Sequence, residues 1–213
     1  QIISKEVDSK IVFEDAKTMA ILDIYPLTKG HTVFFLKEHY PIMPYIPPEE
    51  FAHLFGLVPQ ITGAVKKAML STGCTVFIAN GGAAGQRSAH LMLHFFPREN
   101  DDKVFNYLFN RKFSTLDDKA KLLASKMSPL MQNYFSAASV PPASWHSGKG
   151  NVPSFLSEVY ADCFIIYEDE KVLCTVPKKG IAEGHIEIYS KEEQFFFEKL
   201  SAEYHQELDA LTK

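Results

Sequence analysis

The clearest alternation in the chain runs through His90-Leu91-Met92-Leu93-His94-Phe95. As a strand it sends Leu91, Leu93 and Phe95 to one face and His90, Met92 and His94 to the other. The first face reads as core and the second as the wall of a site. Upstream, residues 10–14, 18–23 and 31–36 are rich in β-branched and aromatic side chains, and Asp15-Ala16-Lys17 and the stretch from Pro26 to Gly30 separate them. They predict a hairpin followed by a third antiparallel strand. Behind Pro47-Pro48-Glu49-Glu50, apolar residues recur at helical spacing at Phe51, Leu54, Phe55, Val58, Ile61, Val65 and Met69. That predicts a helix ending near Ser71-Thr72-Gly73, bent where Pro59 removes a hydrogen bond and Gly56 loosens the same turn. Residues 75–79 then predict a strand that leads into a loop at Asn80.

Beyond Arg98 the chain turns polar through Glu99-Asn100-Asp101-Asp102. A second helix is expected from about Leu116, announced by Thr115-x-x-Asp118, with Leu116, Ala120, Leu123, Met127, Leu130 and Tyr134 on one side and a kink at Pro129. Residues 136–153, with Pro141-Pro142, Gly148 and Gly150, read as a linker in which Trp145 and His146 are loop residues. A final helix is expected behind the capping box Ser190-x-x-Glu193, striped by Phe197, Leu200, Tyr204, Leu208 and Leu211. The expected organisation is therefore a first domain over 1–135 carrying a helical extension, a linker over 136–153, and a smaller unit over 154–213. The class is α+β, an antiparallel meander sheet with packed helices.

The loop before the alternating stretch reads Asn80-Gly81-Gly82-Ala83-Ala84-Gly85-Gln86-Arg87-Ser88. It offers backbone N–H groups, an amide, a guanidinium and a hydroxyl, which suits an anion such as phosphate. Together with His90-x-Met92-x-His94-Phe95-Phe96 it resembles the histidine triad (HIT) family of nucleotide-binding proteins, whose signature is a Gly-Gln pair followed by His-x-His-x-His and two apolar residues. His90 matches the first histidine and His94 the third, while Met92 stands where the family has its central one. In the family that central histidine attacks the α-phosphate of a nucleotide conjugate and forms a nucleotidyl-histidine that water resolves. A neutral thioether cannot take over at a hard phosphorus centre without forming an unstable sulfonium.

The resemblance implies further roles. Asp23 matches an acid that holds the ribose hydroxyls, and Ile24 an apolar residue under the base. Asn80, Gly85, Gln86, Arg87 and Ser88 match nucleotide contacts, and Gly30-His31 matches a histidine behind the triad that fixes a tautomer. Many members carry Cys-x-x-Cys before a segment like residues 1–15 and a further zinc ligand at the position of His39. No such cysteine pair is present here, so a structural zinc is not supported, no cofactor is expected, and His39 reads as a surface histidine at a strand end.

Composition narrows the partners. The 213 residues are 46% hydrophobic and 23% charged, ordinary for a soluble globular protein. A net charge of -4 with dispersed Lys and Arg argues against nucleic acid and anionic membrane as partners. Cys74, Cys163 and Cys174 are odd in number and far apart, which points to reduced thiols in a cytoplasmic protein rather than disulfides or a cysteine cage. No apolar stretch is long enough to span a bilayer, and a chain that begins at Gln1 is expected to have lost its start.

The pattern also repeats. Phe13-Glu14-Asp15-Ala16-Lys17 through Gly30-His31 aligns without a gap onto Tyr167-Glu168-Asp169-Glu170-Lys171 through Gly184-His185, at a constant offset of 154 residues. This looks like the front half of a second HIT-like unit, without a second glycine loop or triad. Family members are commonly dimers, so a homodimer or an intramolecular pseudo-dimer is implied. The expected function is HIT-type binding of a purine nucleoside monophosphate or nucleotide conjugate, with hydrolase or transferase activity weak, altered or lost because of Met92. The alternative is a catalytically silent adaptor on the same scaffold. A third reading, an open metal site from His31, His90 and His94, is set aside because the sequence places no carboxylate or cysteine to complete it, so no metal is expected.

Overall fold

The first three apolar runs form strands β1 (Ile11–Glu14), β2 (Thr18–Leu22) and β3 (Thr32–Leu36) in a computed structural model that describes residues 2–4, 6–104, 114–115, 117–137, 153–181, 184–194, 197–201 and 204. The β1–β2 turn is built by Asp15, whose Oδ1 accepts from Lys17 N (2.8 Å), Thr18 N (2.6 Å) and Thr18 Oγ1 (2.8 Å). Such a side chain supplies the turn that the backbone alone would have to make. Strands β4 (Gly73–Ile78) and β5 (Leu93–Arg98) complete an antiparallel sheet in the order β1-β2-β3-β5-β4. Arg98 closes the last strand with two 2.7 Å bonds to Asp102 and one of 2.8 Å to Thr75 Oγ1.

The expected single helix is two, α1 (Pro48–Gly56) and α2 (Val58–Met69), parted at Leu57. Pro59 falls in the first turn of α2, where its missing N–H would be unpaired anyway, so the chain restarts the helix instead of bending it. Phe51, Leu54, Phe55, Val58, Ile61 and Val65 pack on Ala20, Phe34, Leu36, Leu93 and Phe95 and form the main core. The other sheet face carries a second apolar group, Met19, Ile21, Val33 and Phe35, with Ile2 and Met92 packed against it. That face, away from the helices, is where the polar residues of β5 emerge.

The chain divides into two compact units, Gln1–Phe109 and Asn110–Thr212. In the second, β7 (Cys163–Glu168), β8 (Val172–Pro177) and β10 (Glu187–Ser190) form an antiparallel sheet ordered β10-β8-β7, and β6 (Ser114–Thr115) pairs with β9 (Lys179–Gly180). Helix α3 (Asp117–Ala137), which contains Pro129, belongs here and not to a first domain ending at 135. The reason is its apolar face: Ala120 and Ala124, with Leu123 and Met127 alongside, pack on Ile166, Tyr167, Val172, Cys174 and Val176. Most of the expected linker, with Trp145 and His146, lies outside the described residues. So do Leu208 and Leu211 of the expected final helix, whose start is not found behind its capping box: Ser190 ends β10, residues 191–194 are not helical, and Phe197–Lys199 form only a short turn. Among the described residues no helix is long and apolar enough to cross a membrane.

Hydrogen bonds recur at the 154-residue offset. Asp169 Oδ1 accepts from Lys171 N (2.7 Å) and Val172 N (2.8 Å), as Asp15 does from Lys17 and Thr18. Lys37 pairs with Glu14 and Lys191 with Glu168, each at 2.8 Å. The ladder irregularity between Ile11 and Phe13 has its counterpart between Ile165 and Tyr167. Gly30 and Gly184 both adopt positive φ, 83° and 86°.

Candidate functional site

Strand β5 starts at Leu93, so His90, in a bend, and Met92 lie in the segment before it and not on the strand itself. This segment is held by Leu91 N donating to Tyr40 O (2.8 Å) and His90 N donating to Ser88 Oγ (3.2 Å). The alternation survives: Leu91, Leu93 and Phe95 are buried, while His90, Met92 and His94 are half-buried. The three side chains nevertheless meet different surroundings.

His94 pairs across the sheet with Val33 and Phe77, and its Nδ1 lies 3.0 Å from His31 Nε2. His31 is 4% exposed, rests against the Phe96 ring at 4.4 Å, and turns its Nδ1 toward Leu27 N (3.4 Å) and Asp23 Oδ2 (3.5 Å). Burial pulls the His31 ionisation down to about 4, against the Asp23 charge and with a further push from His94. Burial also lowers His94, again against Asp23. Both rings are therefore neutral at pH 7, and Asp23, His31 and His94 form a side-chain chain that leaves Nε2 of His94 as the ring nitrogen turned away from it.

His90 is committed to the protein. Its Nε2 donates to Leu36 O (2.7 Å), so its bare Nδ1 receives the contact with His39 Nδ1 at 3.3 Å. Burial lowers its ionisation, opposed by the Leu36 carbonyl and helped by His39. His39 is the position at which the family resemblance gives a zinc ligand, and the ring beside it is His90. Among the described residues no cysteine, carboxylate or third histidine joins them.

The glycine loop uses positive φ at Gly81 (96°) and Gly85 (87°), conformations that a Cβ disfavours. Gln86 spends its amide on the fold: Oε1 accepts from Gly81 N (2.7 Å), and Nε2 donates to Pro41 O (2.6 Å) and Ser88 O (2.7 Å). Asn80 Oδ1 accepts from Met43 N (3.0 Å). These two residues tie the loop to the segment after β3, and Arg87 is exposed beside them. Asp23 Oδ1 accepts from Tyr25 N (2.8 Å), and Ile24 and Tyr25 are 78% and 85% exposed at the same corner. Met92 packs on Met19, Ile21, Val33 and Phe35. Sequence reasoning missed the Leu36 carbonyl, the Phe96 ring and the His39–His90 contact, since backbone acceptors and cross-strand neighbours carry no spacing signal.

A five-stranded antiparallel sheet with His31 and His94 on its helix-free face and a Gly-Gln loop beside them is the arrangement of a small nucleotide-site fold. The HIT domain matches residues 4–101. An uncharacterized HIT-like protein of Methanocaldococcus jannaschii is 34% identical over 50% of this chain and 83% of its own. The adenylylsulfatase HINT3 of Arabidopsis thaliana is 35% identical over 59% of this chain and 64% of its own, so the chain spans less than two thirds of that relative. A crystal structure of a HIT family protein from Bacillus anthracis superimposes with a TM-score of 0.54 at 28% identity, covering 65% of this chain and 94% of the other. The chain belongs to the HIT family.

Proposed function

We propose that the first unit binds the nucleoside monophosphate part of a nucleotide or nucleotide conjugate and that Met92 leaves its hydrolysis weak. The carrying observation is Met92 itself: its thioether sits on the apolar floor of Met19, Ile21, Val33 and Phe35, where the family's nucleophile would stand. His94 Nε2 is the nitrogen turned to a phosphate oxygen, its tautomer set by Leu27 N, which donates to His31 Nδ1 and leaves His31 Nε2–H to donate to His94 Nδ1. Arg87, Ser88 and the N–H groups around Gly85 supply the remaining positive potential, Gln86 and Asn80 hold that loop in place, and Ile24 lies under the base. Asp23 keeps one oxygen toward Tyr25 N and offers its other edge to a ribose diol. An adenylylsulfatase among the relatives supports a nucleotide ligand.

The test is calorimetric titration with adenosine monophosphate. One saturable site is expected, weakened about tenfold in His94→Ala, the scale of one hydrogen bond to a charged group. No heat and no rise in melting temperature with the nucleotide would favour the silent adaptor instead.

The same reading extends to the second unit as a degenerate copy of the first unit's front half. The recurring turns, lysine pairs and glycine conformations support it. His185 stands at the His31 position and Ile181 N donates to its Nδ1 at 3.3 Å, as Leu27 N does to His31 at 3.4 Å. The Asp23 position is Pro177, so the copy lacks the acid that the first unit places beside its histidines.

A further inference from the structure

We propose that Asp23, His31 and His94 bind one divalent transition-metal ion of the zinc class. The sequence alone offers imidazoles without an acid, and the fold supplies one. The end of β2 brings the Asp23 carboxylate beside two rings carried at the start of β3 and on β5. One donor atom from each of the three lies within 4.8 Å of the other two.

The chemistry of the set selects the ion. Two neutral imidazoles and one carboxylate suit zinc, cobalt and nickel, whereas magnesium and calcium take oxygen donors. His31 Nε2 and His94 Nδ1 are 3.0 Å apart, close to the roughly 3.3 Å edge of a tetrahedron with zinc–nitrogen bonds near 2.05 Å. In the ion-free protein these two nitrogens are joined by a hydrogen bond, so loading the ion moves the His31 proton from Nε2 to Nδ1 and tilts the two rings until their lone pairs converge on the metal. The donors sit on adjacent strands whose ladder pairs Leu22 with Thr32 and Val33 with His94. Tyr25 N fixes the Asp23 carboxylate and the Phe96 ring backs His31, the outer contacts that hold a metal ligand in position. Three protein ligands leave a coordination position open to water or a phosphate oxygen. The His39–His90 pair contributes only two donors and is the natural competitor. The ion would share Asp23 and His94 with the proposed nucleotide site, and its binding is tested without nucleotide, so the two readings can fail separately.

The test uses the full chain, stripped with a chelator and then titrated with cobalt(II), read by visible absorption, with zinc(II) calorimetry in parallel. One equivalent is expected, with the intense absorption of tetrahedral cobalt. Asp23→Asn and His94→Gln should each weaken binding at least about tenfold, with circular dichroism unchanged, while His39→Ala keeps the spectrum. The proposal is overturned by the absence of a stoichiometric site in the unaltered chain, by an unchanged spectrum in Asp23→Asn or His94→Gln, or by its loss in His39→Ala.

Discussion

At the scale of single residues, Met92 and Gly30 show how a local choice reaches the site. Met92 keeps the apolar floor filled, and the sequence already located it by its two-residue spacing from His90 and His94. What the spacing hid was that those histidines do different work. His90 is bound at both nitrogens to Leu36 and His39, and only His94 is coupled to Asp23 through His31. Gly30 precedes His31 with φ of 83°, and a Cβ there would come within 2.5 Å of Met69 Sδ and 2.6 Å of its Cγ. Gly30→Ala is therefore expected to cost about 1–3 kcal/mol, through the positive φ and the crowding together. Denaturant unfolding checks this, and an unchanged midpoint would mean that the turn relaxes freely.

At the scale of elements, the early strands were legible because alternation and turn residues agree, and β1, β2 and β3 fall within a residue or so of expectation. The helix after residue 47 was legible as apolar periodicity, but its break was not, because Gly56-Leu57-Val58-Pro59 reads equally as a bend or as an end and a restart. Helix α3 was found but misassigned, since an apolar stripe does not say which sheet it faces. The start of β5 lies three residues beyond the onset of the alternation, because alternating burial at His90, Leu91 and Met92 does not require ladder pairing. Helix α2 ends with Leu70 left-handed at φ 54° and 90% exposed, its N–H directed to Lys67 O, and Ser71 N bonded to Lys66 O. Glycine is the usual residue at such a terminus. Leu70→Gly should stabilise the unit by about 0.5–1 kcal/mol by removing the Cβ penalty. A loss of stability on this change would show that the exposed leucine makes a contact worth more than its strain.

At the scale of the whole molecule, the buried imidazoles make stability depend on pH. His31 titrates near 4 in the fold against 6.5 ordinarily, and His90 and His94 are also depressed. Between those values the unfolded chain binds more protons than the folded one, so stability rises with pH. It is complete above about 6.5 and is lost as pH falls toward 4. Asp15 is held at about 2, burial being outweighed by hydrogen bonds from Thr18, Lys17 and His53. Its contribution is present above the ordinary carboxylate value and disappears only at still lower pH. The melting temperature should therefore fall steadily from pH 7 to 4.5, and His31→Gln should flatten that profile. A flat profile in the unaltered protein would mean that His31 charges in place.

The proposal that the second unit is a degenerate copy rests in the sequence on a few identities at the 154-residue offset. Turn and lysine contacts that recur at that offset support it, and Pro177 stands at the Asp23 position. The proposed function makes Met92 the reason for weak chemistry at a nucleotide site. The most direct measurement is the hydrolysis rate of adenosine phosphoramidate by the unaltered chain and by Met92→His, side by side at saturating substrate. The account predicts slow turnover in the first and a gain of about a hundredfold or more in the second, since restoring a covalent nucleophile commonly recovers several orders of magnitude. Fast turnover by the unaltered chain, not increased in Met92→His, would contradict it.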